Sequence, residues 1–117
     1  MTLVRGSVIV ARLDPTVGHE QAGRRPCVVV SAPEVSNDQR FPLVAIVPLT
    51  STPGVGLLYP LVRPSSSNGL RNVSTALVDH VRSMDKRRVD RVYGSVSPSE
   101  LAAIDAALKM FLGLNAS

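Results

Sequence analysis

Residues 14–26 read Asp-Pro-Thr-Val-Gly-His-Glu-Gln-Ala-Gly-Arg-Arg-Pro, between two apolar runs. The segment gathers His19, Glu20, Gln21, Arg24 and Arg25 on one loop bounded by glycines and prolines. Acid, base and cation on a short loop are the equipment of phosphate chemistry, and loops on a rigid scaffold are where such groups are carried. The planar fork of Arg25 suits two phosphate oxygens at once, which makes it a candidate for stabilising a charged transition state. His19, Glu20 and the more distant Asp79 are candidate bases, and Thr50, at the end of an apolar run, is a candidate hydrogen-bond donor. Each also has a purely structural alternative. His19 reads equally as a solvated turn residue, Glu20 with Arg25 as a surface ion pair, Thr50 as a strand end, and Asp79 with His80 as a polar pair on a sheet face.

Other chemistries find less support. His19 and His80 lie far apart in sequence, and no His, Asp or Glu motif has metal-ligand spacing. Gly-rich phosphate loops and a Ser nucleophile elbow are absent. Cys27 is the single cysteine, so no disulfide forms within the chain and no thiolate zinc cluster exists; its Val-rich setting marks it as a small core residue. The run Asp85-Lys86-Arg87-Arg88 reads as a solvated turn or as a contact to an RNA backbone. The remaining set is metal-free, with no cofactor. Cleavage of RNA through its own 2′-hydroxyl needs a base, an acid near the leaving 5′-oxygen and cationic donors. Arginine is a poor proton donor, so charge stabilisation is the main role open to Arg25. Spacing alone stops short of a ribonuclease.

These side chains need a scaffold, and the chain supplies mostly strands. Apolar, β-branched runs predict strands near 7–13, 27–31, 43–50, 57–62, 73–81 and 89–96. Pro48 cannot donate to a ladder, so the end of the 43–50 strand is expected at an edge or a bulge, next to Thr50. Segments 32–42, 51–56 and 63–72 are rich in Pro, Gly, Ser and Asn and read as loops. The helix is 98–112: Ser97-Pro98-Ser99-Glu100 is a capping box, Leu101, Ile104, Leu108 and Phe111 recur at helical spacing, and Gly113 follows. That stripe reads as core, in part as a subunit interface. Successive strands without intervening helices predict a mainly β domain, a small barrel or sandwich closed by the C-terminal helix, with residues 1–117 as one unit.

Composition is consistent with this. A chain of 117 residues, 44% of them apolar, can bury one core. Aromatics are only 3%, so base stacking is not the main grip on any nucleic acid. The net charge of +4 favours a polyanionic partner, and eleven of the thirteen basic residues are Arg. No apolar stretch approaches the length of a membrane span, which predicts a cytoplasmic protein without membrane partners.

Taken together, these motifs resemble the MazF/Kid/PemK toxin family. Arg5-Gly6 opens a strand, and the Asp14-Pro15…Gly18-His19-Glu20-Gln21…Gly23-Arg24-Arg25-Pro26 loop follows. Val47-Pro48-Leu49-Thr50-Ser51 is similar to the family's second motif, and Asp79-His80-Val81-Arg82-Ser83-Met84-Asp85-Lys86 to its third. Val-Tyr-Gly-Ser-Val before the helix is also similar, so the match runs over nearly the whole chain.

The resemblance implies an SH3-like barrel of the CcdB/MazF type and a homodimer. It implies a sequence-specific, metal-independent endoribonuclease toxin that cuts single-stranded RNA, leaving 2′,3′-cyclic phosphate and 5′-hydroxyl ends. Its other partner would be a MazE-like antitoxin, whose disordered C-terminal tail occupies the RNA groove. Arg25 and Thr50 match the principal catalytic pair. His19 and Asp79 match residues proposed for catalysis in the Kid branch; that branch carries an Arg two positions before the Asp, where this chain has Leu77. Ser74 and Arg82 match positions near the groove, and with Val17, His19, Gln21, Arg24 and His80 they form the expected RNA-binding set. Two alternatives share the fold: a gyrase-directed toxin like the CcdB family, and a non-catalytic RNA- or antitoxin-binding module. The intact Glu20, Arg25, Pro26 and Thr50 set argues against both.

Overall fold

Seven strands and two helices follow one another along a computed structural model that describes residues 2–13, 18 and 23–114. The strands are β1 (Ser7–Arg12), β2 (Arg24–Val29), β3 (Leu43–Thr50), β4 (Leu61–Val62), β5 (Ser74–Ala76), β6 (Arg82–Asp85) and β7 (Val89–Ser95). A short helix, α1 (Pro33–Ser36), follows β2, and α2 (Pro98–Leu112) follows β7. All strands join one antiparallel sheet in the order β4-β5-β3-β2-β1-β7, with β6 also on β3.

The central strands are apolar at successive positions, so both faces of the sheet are buried. Val8, Val28, Val47 and Leu49 meet Ile104, Ala107 and Leu108 of α2 on one face. Ile9, Cys27, Val29, Val44 and Ile46 pack with Leu3, Leu13 and Met84 on the other. Only one face has the long helix to cover it. The sheet closes the other by curling, which makes a half-barrel.

Helix α2 forms where its capping box predicts. The Ser97 hydroxyl accepts from the Glu100 N–H at 3.2 Å, and the Glu100 carboxylate accepts from the Ser97 N–H at 3.0 Å. Gly113 ends it at φ 70°. Phe111 departs from the expected stripe: it is 44% exposed, beside exposed Met110 and Leu112, because the last turn outruns the core. At the N-terminal side of the fold, the Arg5 guanidinium donates two bonds to Asp105 of α2 (2.8 and 2.5 Å) and one to the Val30 carbonyl. The Arg5-Gly6 start thereby clamps sheet to helix.

Several strand boundaries differ from the sequence-based expectation. The second strand begins at Arg24 rather than 27, with Arg24, Arg25 and Pro26 opposite Arg12, Ala11 and Val10. Pro26 fits because β2 has β1 as its only partner there, and a ladder draws donors from alternate residues only. It ends at Val29, two residues short. The 57–62 strand reduces to β4, since the Tyr59 N–H turns back to the Gly56 carbonyl and Pro60 cannot donate. The 32–42 loop contains α1, started by Pro33 at N1.

The largest departure is at 73–81. That segment is not one strand but β5 and a 3-10 turn over Val78–His80, with the separate strand β6 starting just after it at Arg82. Pro48 explains the break. Its carbonyl accepts from the Leu77 N–H at 2.9 Å, so its missing donor faces the same neighbour. The expected irregularity therefore falls on the partner of β3. β3 itself is central, and its neighbour detours through the turn that lifts Asp79 and His80.

Candidate functional site

The ladder between β2 and β3 pairs Cys27 with Pro48, Val28 with Val47 and Val29 with Ile46. Beyond Cys27 that ladder ends: Arg25 pairs with Ala11 of β1, and Thr50 with Thr75 of β5. Arg25 and Thr50 both line one open cavity of about 300 Å³, with Arg24, Ser51, Arg71, Asn72, Ser74 and Tyr93. Three guanidiniums thus share a wall with four hydroxyl side chains and an amide, a donor-rich lining suited to phosphate oxygens.

Each of these side chains is held by local structure. Thr50 Oγ1 accepts from the Thr52 N–H at 3.2 Å, which leaves its own proton available to donate. Arg24 Nε lies 3.0 Å from Asp90 of β7, and Arg12, its β1 neighbour, lies 3.7 Å from the same carboxylate. Asp90 therefore partly neutralises Arg24. Ser74 is buried and donates to the Asn72 carbonyl at 3.2 Å.

Asn68, fully buried, fixes the far wall. Its amide donates to the Arg63 carbonyl at 2.8 Å, and its oxygen accepts from the Ser65 and Leu70 N–H groups. Glu100 adds a fourth bond, accepting from the Arg63 N–H at 2.8 Å. The Ser67 carbonyl packs directly on Gly94, where a Cβ would lie 1.9 Å away. Only glycine permits that approach.

A second cavity, about 220 Å³, opens on the other side of Thr50 and is lined by Thr52, Tyr59, Leu77 and His80. The Tyr59 hydroxyl donates to Asp79 at 2.8 Å, and this bond to a carboxylate raises the phenol's pKa. His80 Nε2 is 3.7 Å from Asp79 Oδ1. Asp79 Oδ1 and His80 Nδ1 are both buried without a hydrogen-bond partner. Leu77, where the Kid branch carries Arg, presents an apolar side chain to this cavity.

The sequence-derived residues are distributed as follows. Arg24, Arg25, Thr50 and Ser74 come together in the first cavity, and His80 faces the second, with Asp79 behind it. Arg82 lines neither: it stands on β6, its guanidinium turned toward the Leu13 carbonyl at 3.5 Å. Val17, His19, Glu20 and Gln21 lie outside the described residues. Sequence reasoning passed over Arg71, Asn72, Tyr59 and Tyr93. For the first two, the signal was the length of the 63–72 loop; Tyr93 sits one residue before the tight-packing Gly94.

Among the described residues no three His, Cys, Asp or Glu side chains converge as a metal site, and no helix is long and apolar enough to cross a membrane. Residues 4–112 match the model of the PemK-like, MazF-like toxins of type II toxin–antitoxin systems. The chain belongs to the MazF-like toxin family. It is 34% identical over 115 residues to endoribonuclease MazF9 of Mycobacterium tuberculosis, covering 94% of this chain and 96% of that one. A crystal structure of MazF from Deinococcus radiodurans superposes with a TM-score of 0.82 at 27% identity, over 97% of this chain and 99% of that one. A MazE–MazF structure from the same organism gives 0.75 at 26% identity, over 98% and 99%. The half-barrel and helix of this chain are thus the MazF fold.

Proposed function

We propose that this MazF-like toxin is an endoribonuclease that cuts single-stranded RNA without a metal ion. The 2′-hydroxyl attacks the adjacent phosphorus, the 5′-oxygen leaves with a proton, and the products are 2′,3′-cyclic phosphate and 5′-hydroxyl ends. One observation carries the reading: the ends of the neighbouring strands β2 and β3 bring Arg25 and Thr50 onto one cavity wall. Arg25 offers paired N–H donors to the charge that develops on the phosphoryl oxygens, and Thr50 offers one more. Three guanidiniums, with no carboxylate among the described residues of the lining, repel a divalent cation and suit phosphate. His19 and Glu20 are the preferred bases, with Asp79 as the third candidate. Arg24, Ser74, His80 and Arg82, with Val17 and Gln21, are assigned to holding the RNA strand.

By likeness to the MazE–MazF structure of Deinococcus radiodurans, the partner is a MazE-like antitoxin; the family resemblance assigns its C-terminal tail to the same groove, where it silences the enzyme. The active form is a cytoplasmic homodimer. The deciding experiment incubates purified protein with long single-stranded RNA in EDTA and maps the cut ends. Defined cuts with cyclic-phosphate ends, lost in Arg25→Ala, are expected. Intact RNA across diverse sequences overturns the proposal.

A further inference from the structure

The basic run after β6 is divided between two jobs. Lys86 is structural: its ammonium donates to the Val35 and Asp38 carbonyls at 2.8 and 2.9 Å and so holds α1. Arg87 and Arg88 do something else. With Asp85 and Arg12 they line a separate open cavity of about 360 Å³, and the Arg87 side chain is 90% exposed. Among the described residues, Asp85 is the one acid in that lining. Hydrogen bonds from Arg87, with the nearby charge of Arg88, hold its carboxyl at about 2, so it is ionised and pairs with Arg87.

This cavity is joined to the cleavage groove by a pair of arginines. Arg12, in its lining, stands opposite Arg24 across the β1–β2 ladder, and Arg24 lines the groove. Both flank Asp90. The cations therefore run from Arg25 through Arg24 and Arg12 to Arg87 and Arg88. Among the described residues, no aromatic side chain lines the outer cavity to stack on a base. Its chemistry reads charge, not sequence.

We propose that Arg12, Arg87 and Arg88 form a second phosphate site that holds the backbone of RNA nucleotides flanking the cleaved bond. The site rests on the endoribonuclease reading and deepens it. It makes substrate affinity depend on RNA length, while the groove sets where the strand is cut.

The test compares wild type with Arg87→Ala/Arg88→Ala, on a minimal RNA bearing only the mapped cleavage sequence and on the same sequence extended on both sides. Binding is measured by fluorescence anisotropy across a salt series, and cleavage by KM and kcat. For single strands each lost phosphate contact lowers the log–log salt slope by about 0.7, so the double variant should lose about 1.4 on the extended RNA and nothing on the minimal one. Its KM for extended RNA should rise to the minimal-RNA value with kcat unchanged. Arg87→Lys/Arg88→Lys, which keeps the charge, should restore the slope. Identical slopes for wild type and the Ala variant overturn the site, as does an equal loss on both RNAs. So does loss of binding to a polyglutamate peptide alone, which would assign the surface to an acidic protein segment. If wild type cleaves neither RNA, the endoribonuclease reading fails on that result, while the slopes still decide whether the arginines hold RNA.

Discussion

Arg25 is a cation on a strand that would otherwise be an ordinary β-segment, and Thr50 is a hydroxyl at the end of an apolar one. What sets them apart is that both line one cavity. Arg25→Ala should lower kcat/KM by about 10²–10³-fold, in line with loss of a single preorganised oxyanion donor, with the fold intact by circular dichroism. Arg25→Lys keeps the charge but loses the fork and should recover little of the activity. Asp79 stands differently. Its carboxylate is engaged by Tyr59 and lies behind the second cavity, not in the Arg25 wall. Asp79→Asn should therefore cost much less than the about 10²–10⁴-fold expected for a proton-transfer group. A loss in that range would return the role of base to Asp79. The same variant removes the carboxylate that raises the Tyr59 pKa, so one of the two tyrosines should titrate at lower pH in an ultraviolet absorbance titration. Arg25 and Thr50 were legible because their types and neighbours are local facts. Tyr59 and Asn68 were not, because nothing near either one in sequence names its distant partner or its burial.

At the scale of elements, the apolar runs and the capping box were enough to place β1, β3, β7 and α2, because propensity, periodicity and caps agree there. The 73–81 segment was misread because its break is set by Pro48 on another strand. Similarly, the 63–72 loop shows a turn-rich composition but hides its anchor, the wholly buried Asn68. Asn68→Ala removes three partly buried hydrogen bonds, so it should destabilise the protein by about 2–3 kcal/mol in a urea titration. Gly94→Ala should detach the same loop from β7 and weaken RNA binding more than it lowers Tm, since Arg71 and Asn72 then leave the groove wall. Within β2, burial pushes the Cys27 thiol up to about 12. A thiol raised in this way stabilises the fold fully below its unfolded pKa near 9, and that stability is lost as pH rises toward 12. Native protein at pH 8 should thus resist iodoacetamide and react once denatured, as read by mass spectrometry; rapid native alkylation would contradict the burial.

The whole molecule combines two interactions with different physics. RNA binding by a chain of net charge +4 releases counterions, so its affinity should fall steeply between about 50 and 200 mM salt. A homodimer would instead be held by apolar surface, and α2 leaves Met110, Phe111 and Leu112 at 49%, 44% and 53% exposure where its last turn passes the core. A standard interface takes about 800 Å² from each partner, roughly a tenth of the 6894 Å² that this chain exposes. Such burial responds weakly to salt, and two chains of modest like charge repel each other little at ordinary ionic strength. Light scattering should therefore report twice the 12.4 kDa chain mass across the whole salt range in which RNA affinity collapses. A mass of one chain at every salt concentration would sink the dimer. A mass that falls in step with RNA affinity would mean that charge, not the apolar end of α2, holds the two copies together.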